Sequence, residues 1–303
     1  MDFLVSMINF VENRNKFFSV SILFVVASIV ALALWGLPFG IDFVGGALFE
    51  VKYTAEEISV PALVQEFNTA GYEHVRIQPT GDDGLFIRMK EVSEEQHQEI
   101  LGLLNTTLGE VSEQRFESIG PVIGQELTRR AGAAIIVALI AILAYVAFAF
   151  RKIAYRLSSW KYGLVAMVAL THDIIIPAGV FAVLGHFMGV EIDALFVTAL
   201  LTILGFSIHD TIVVFDRVRE NITRFRNRTF AEIVDRSIHE TMARSINTSL
   251  TTLAVLLAVF FLGGTSVKFF ALVLALGVAF GTYSSMFIAS PLLVAWEERS
   301  KKS

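Results

Sequence analysis

Six stretches of this 303-residue sequence are apolar over a length that can cross a bilayer, and the rest of the chain must be arranged around them. They run at about 17–37, 131–150, 162–184, 194–215, 245–262 and 269–296. A helical span needs roughly 20 apolar residues, because each residue adds about 1.5 Å against a hydrocarbon core about 30 Å thick. Composition agrees: 17% of residues are charged and 54% hydrophobic, whereas soluble domains are about 25% charged. The chain reads as a polytopic α-helical membrane protein. Its sixth stretch is long enough to tilt, or to shed its final turn before Pro291. The first follows Arg14 and Lys16, and Ala31-Leu-Ala33 resembles a signal-cleavage site. The run from Phe17 to Leu37 is nonetheless longer than the roughly 7–15 apolar residues of a signal peptide, which favours a first span.

Residues 38–130 differ in kind, being acidic, rich in Gln and without a spanning run. Alternation and turn residues give strand Ala47–Tyr53, helix Ser59–Ala70, strands His74–Pro79 and Leu85–Lys90, helix Ser93–Leu108 and strand Val111–Ile119, with a turn at Gly81–Gly84. That order, βαββαβ, is the ferredoxin-like α+β unit, which buries one sheet face under two helices. About ninety residues suffice for an independent domain.

Basic residues set the orientation. Arg151, Lys152, Arg156 and Lys161 separate spans two and three, seven arginines lie from Arg217 to Arg244, and Arg299, Lys301 and Lys302 close the chain, while the short loops on the other side hold only Lys268. By the positive-inside rule, residues 1–16 and 297–303 are cytoplasmic and residues 38–130 extracytoplasmic. Residues 40–130 carry seven basic and 16 acidic side chains, which argues against nucleic acid as a partner. Between spans four and five, Thr229 and Glu232 fit a capping box, and Phe230, Ile233, Val234, Ile238 and Met242 recur at helical spacing. A short amphipathic cytoplasmic helix near 229–243 is expected, a connector resting its apolar face on the bundle.

Polar residues inside spans carry the functional signal. Asp210 lies within the fourth, beside Ser207, His209 and Thr211. An ionised Asp costs roughly 2.5–3.5 kcal/mol at a span's centre, so such residues line a partner or a water path. Asp216 lies about 9 Å nearer the charged end and points to another face, so the two acids do not share a proton. Two readings of Asp210 stand: a group whose charge changes in use, or a fixed interhelical hydrogen bond. Arg244, heading the polar start Ser245-Ile-Asn-Thr-Ser249 of the fifth span, is either the acid's counter-charge or an interface anchor. The serines, Asn247 and Thr248 read as helix–helix hydrogen-bonding residues. Span three carries Thr171-His172-Asp173, a pair able to relay protons or to make a satisfied contact, with Pro177 as a kink candidate. Gly277 and Gly281 form a GxxxG, a sign of close packing. Zero cysteines exclude disulfides and thiolate metal sites. No catalytic motif is found, and no cofactor or metal is implied.

Taken together, Asp42-Phe-Val-Gly45-Gly46 after span one, Thr171-His-Asp173, the run from Phe206 to Asn221 and Arg244-Ser-Ile-Asn-Thr-Ser249 resemble the SecF family of the bacterial Sec export machinery. The resemblance covers nearly the whole chain and implies six spans, pairing with a SecD-like subunit, association with a SecYEG-type channel and an unfolded preprotein, and use of the proton gradient in the inner membrane. It associates Asp210 and Arg244 with proton coupling. That family usually has Asn where this chain has His209, which leaves open whether His209 adds a second titrating group. Half of a proton-coupled small-molecule or lipid exporter of the same resistance-nodulation-division superfamily, and an uncoupled assembly scaffold, are the alternatives.

Overall fold

The computed structural model describes residues 9–54, 59–80, 83–151 and 158–302. Residues 81 and 82 of the expected turn, and Lys152 and Arg156 of the basic loop, lie outside the described residues. The chain divides into two units, Met1–Pro38 with Ala133–Ser303, and Phe39–Gly132.

In the smaller unit a short helix α2 (Ile41–Val44) leads into a four-stranded antiparallel sheet of β1 (Gly46–Tyr53), β2 (Arg76–Thr80), β3 (Gly84–Met89) and β4 (Val111–Ile119), in the order β2-β3-β1-β4. Helices α3 (Val60–Thr69) and α4 (Glu94–Leu108) complete the expected βαββαβ unit. Strand alternation puts Ala47, Phe49 and Val51 on the covered face, where Phe49 pairs with Ile87 and Phe116. Leu63 and Phe67 of α3 and Ile100 and Leu104 of α4 close over them, all nearly inaccessible. Ser93 starts α4 through a capping box with Gln96, which satisfies helix-end amides that would otherwise lack acceptors.

The paired glycines after the first span have a local cause. Gly45 and Gly46 adopt φ of 80° and 132°, a region that side chains disfavour. A Cβ on Gly46 would lie 2.7 Å from the Met89 carbonyl oxygen, and one on Gly45 2.8 Å from Pro121 Cα. The glycines thus let the entry to β1 press against the end of β3 and the start of α5 (Pro121–Ala149).

The other unit holds α1 (Arg14–Trp35), the later part of α5, α6 (Ser159–Met188), α7 (Ala194–Arg224), α8 (Phe230–Leu262), α9 (Thr265–Ser284) and α10 (Ser290–Lys302), the last two joined by a π-helical turn at Ser285–Ala289. Among the described residues, six helical segments are long and apolar enough to cross a membrane. Of these α6, α7 and the α9–α10 segment are the most enclosed, whereas the most apolar stretches of α1, α5 and α8 are little buried. The Asp193 side chain caps α7 through the Phe196 amide at 2.9 Å. Gly277 and Gly281 let α9 lie against α7, where added methyls would fall 2.1 Å from Ile203 Cγ1 and 2.9 Å from Ser207 Cβ.

Two expectations are corrected. Residues 229–243 are not a separate connector helix, because α8 runs unbroken from Phe230 to Leu262 behind the Thr229–Glu232 capping box. With neither Gly nor Pro between them, nothing divides the amphipathic turns from the apolar ones. Phe230, Ile233, Val234, Ile238 and Met242 do bury their face against the bundle. The last span does not shed its end before Pro291. It passes through the π turn and resumes, with Pro291 in the first turn of α10, where a missing N–H is tolerated.

Candidate functional site

Two buried carboxylates and the hydroxyls that serve them gather where α6, α7, α8 and α9 meet. Ser207 and Asp210, three residues apart, share one face of α7. Asp210, 4% exposed, accepts the Ser245 hydroxyl of α8 at 3.3 Å on Oδ1 and the Thr282 hydroxyl of α9 at 3.2 Å on Oδ2. Thr282 also makes a short contact with Ser249 of α8. Thr211 is buried and donates to the Ser207 carbonyl at 3.3 Å.

The second acid is held more tightly. Asp173 on α6 is fully buried, with Ser207 of α7 at 2.5 Å and Ser284 of α9 at 2.7 Å donating to Oδ2, and His172 Nδ1 2.8 Å from Oδ1. Three short contacts lock this carboxylate. The two long bonds on Asp210 leave it the freer of the two, since a hydroxyl–carboxylate bond is strongest near 2.5–2.7 Å. Ser284 and Thr282 lie two residues apart on α9, so one short segment answers to both acids. The π turn begins at the next residue, stabilised by Ser285 donating to the Thr282 carbonyl at 3.0 Å and Ser290 to the Ser285 carbonyl at 2.9 Å. Such turns recur at functional sites because they interrupt the helical ladder locally.

The remaining candidates lie elsewhere. Arg244 is exposed and, among the described residues, makes no ion pair with Asp210; the position next to it, Ser245, supplies the contact instead. His209 is exposed on the opposite side of α7 from Ser207. Asp216 is exposed and pairs with Arg219 at 2.6 Å. Asp42, Gly45 and Gly46 belong to the sheet unit, Asp42 in the first turn of α2. Among the described residues no cluster of His, Cys, Asp or Glu could hold a metal ion. Sequence reasoning missed Thr282 and Ser284, and treated Ser207 only as a neighbour of Asp210. Their signal was the recurrence of hydroxyl residues in otherwise apolar spans, which supply Asp210 with its second donor and Asp173 with two.

The fold and site define a polytopic membrane subunit carrying a small α+β domain between its first two spans and a buried carboxylate layer in its helices. Residues 100–299 match the family described as protein export membrane protein SecD/SecF, C-terminal, and residues 31–57 match the SecD/SecF GG motif. The protein translocase subunit SecF of Thermobaculum terrenum is 41% identical over 97% of this chain and 95% of its own. That of Vibrio alginolyticus is 40% identical over 94% and 88%. The crystal structure of SecDF, a translocon-associated membrane protein from Thermus thermophilus, superposes with a TM-score of 0.84 at 35% identity, over 96% of this chain and 39% of the longer one. The chain belongs to the SecD/SecF protein-export family, among its SecF translocase subunits.

Proposed function

We propose that this chain is a proton-coupled accessory subunit of Sec protein export, without catalytic chemistry of its own, in which protonation of Asp210 changes how α7 is held against α8 and α9. The observation that carries this is the contrast between the two acids. Asp173 is pinned by three short contacts, whereas Asp210 is held at 3.2 and 3.3 Å by hydroxyls from two different helices. A carboxylate only accepts, whereas the protonated acid donates one bond. Whichever of Ser245 and Thr282 faces the protonated oxygen must then turn from donor to acceptor, which is a small two-state change at the junction of three helices. Arg244 acts as a neighbouring positive charge in this reading, approaching Asp210 in one of the states.

The partner is a SecD-like membrane subunit. One face of α7 exposes Thr198, Thr202, Gly205 and His209, and α8 exposes Arg244, Asn247, Thr248 and Thr251. Charged and amide groups on a spanning surface are unfavourable against lipid and suit a helical neighbour. The Thermus thermophilus SecDF, of which this chain matches 39%, supports such a half being joined to SecF. The same reading gives the Sec channel and a translocating preprotein as further partners. Both termini face the cytoplasm in the inner membrane, and the sheet unit faces outward, as the distribution of Lys and Arg supports.

The test is export of a secreted protein into inverted membrane vesicles, with and without a proton gradient. Asp210→Asn mimics the neutral acid at nearly constant volume and is expected to assemble yet lose the gradient-dependent part of export. Asp216→Asn removes an exposed ion pair worth about 0–1 kcal/mol and is expected to retain it. Full gradient stimulation with Asp210→Asn would reduce Asp210 to a packing residue.

A further inference from the structure

Among the described residues, two buried polar atoms on adjacent helices have no hydrogen-bond partner: Ser21 Oγ on α1 and His172 Nε2 on α6. Each residue is 6% exposed. They also lie at one level. An added Cβ on Gly179 would come within 2.3 Å of Ser28 Cβ, and one on Gly185 within 2.2 Å of Pro38 Cγ, so α1 and α6 run side by side in the same direction. Ser21 and His172 each precede the Ser28–Gly179 contact by seven residues, about two turns. Helix α9 fixes the level independently. Tyr283 Oη donates to the Phe17 carbonyl at 3.1 Å, one turn before Ser21, and the Phe24 ring, one turn after, lies 5.6 Å from Phe280. The His172 ring lies 6.1 Å from Phe280 and 6.4 Å from Tyr283. Ser21 and His172 are bracketed by the same two rings.

His172 is not free at its other nitrogen, since Nδ1 lies 2.8 Å from Asp173. A proton on Nδ1 directed at the carboxylate leaves Nε2 an acceptor in the neutral ring and a donor in the imidazolium. The Ser21 hydroxyl can serve in either sense. Two orphaned polar groups at one level of one helix contact are the circumstance in which proteins hold an internal water.

We infer that Ser21 and His172 hold a bound water between α1 and α6, and that through it the His172–Asp173 pair forms a second proton-carrying site, separate from Asp210. This rests on the reading that the subunit carries protons. Uptake is the transfer of one proton from the protonated water to Nε2, which turns the ring into an imidazolium paired with the Asp173 carboxylate. Release returns that proton to the water. The titratable neighbours of the ring are Asp173 on its own helix and Tyr283 on α9. Helix α1 has no titratable side chain beyond Lys16, and α7 brings the Ser207 hydroxyl to Asp173. Because Ser284 answers to Asp173 and Thr282 to Asp210, the two sites share α9.

The experiment is nitrogen NMR of the full-length chain, labelled at histidine and reconstituted in bilayers, beside vesicle export. His172 Nε2 is expected to report a hydrogen bond that shifts in Ser21→Ala and is restored in Ser21→Thr, which keeps the hydroxyl. Gradient-stimulated export is expected to fall about fivefold in Ser21→Ala, the value of one net hydrogen bond, and to recover in Ser21→Thr. His172→Asn keeps a donor to Asp173 and removes Nε2, and is expected to abolish the stimulation. An Nε2 signal indifferent to Ser21→Ala overturns the proposal, and does so even if His172→Asn fails to assemble. Full stimulation in both variants, with loss in Asp210→Asn, removes the second site and leaves Asp210 standing. Retention in Asp210→Asn, with loss in Ser21→Ala, would instead sink the Asp210 reading.

Discussion

Replacing Gly179 by Ala tests the closest approach of α1 to α6. The new methyl would lie 2.3 Å from Ser28 Cβ and 2.5 Å from Ser28 Cα, against ordinary carbon contacts of about 3.5–4.0 Å. Rotating a side chain cannot relieve this, because Cα is main chain, so α1 must back away. Overpacking of this kind costs about 1–3 kcal/mol. Exchanging Gly for Ala in a helix returns roughly 0.5–1 kcal/mol. The net expectation is destabilisation by up to about 2.5 kcal/mol. Gly205→Ala supplies the control on α7, where an added Cβ meets nothing within 4 Å, leaving the propensity gain alone. Thermal unfolding of the purified chain in detergent, followed by tryptophan fluorescence, should separate the two by sign. Adding Ser28→Gly to Gly179→Ala removes the Cβ from the clash and should recover part of the loss. Gly179→Ala unfolding at or above the temperature of Gly205→Ala would refute the packing argument.

In the sheet unit, Gln98 and then His97 hold Glu94 below its ordinary value of 4.5, and the Ser93 hydroxyl holds Glu95 below it. Depressed carboxylates contribute stability that is present above their unfolded value and lost as pH falls through the folded one, so urea midpoints of residues 39–132 expressed alone should drop below about pH 4.3, and Glu94→Gln should flatten that drop. Ser93→Ala removes the cap of α4 and should cost the same fragment about 1 kcal/mol. Glu240 of α8 accepts from Arg217 at 2.6 Å and from buried Asn221 at 2.8 Å on α7, so Glu240→Ala should destabilise the full chain by roughly 1–3 kcal/mol in the same thermal assay. Because the chain has no cysteine, a single Cys at exposed Glu110 should react with an impermeant thiol reagent outside intact cells and one at Arg228 should not; the reverse would invert the topology.

The sheet unit was legible nearly residue by residue, because strand alternation and the turn residues between its elements are local signals. Gly45 and Gly46 stood out in sequence, but the reason for them, crowding by Met89 and Pro121, lies in residues distant along the chain. The helical unit was legible in its spans and less so inside them. Asp210 was visible as a charge in an apolar run, yet Asp173 proves the more deeply buried, and only the packing of Ser207 and Ser284 around it shows why it is tolerated. The π turn at Ser285–Ala289 has no propensity signature and depends on how α9 meets its neighbours. Arg244 shows the opposite limit. A cation at the head of a polar helix left two readings open, counter-charge or interface anchor, and only the packing shows that the helix turns Ser245 inward and Arg244 out in this structure.

On the reading proposed for Asp210, the continuity of α8 turns a change of charge into a mechanical displacement. Its 33 residues make a stiff rod about 50 Å long, well beyond the roughly 30 Å of a bilayer core. Ser245, the residue that touches Asp210, stands close to the midpoint and serves as a fulcrum. Toward the Phe230 end the rod grips its surroundings by Asp235, which accepts the Phe10 amide at 2.7 Å, and by Glu240 on Arg217. A tilt of roughly 10° about that fulcrum would carry each tip through about 4 Å, given about 1.5 Å of rise per residue. A shift too small to notice at the carboxylate thus arrives at the Phe230 end as a displacement the size of a side chain.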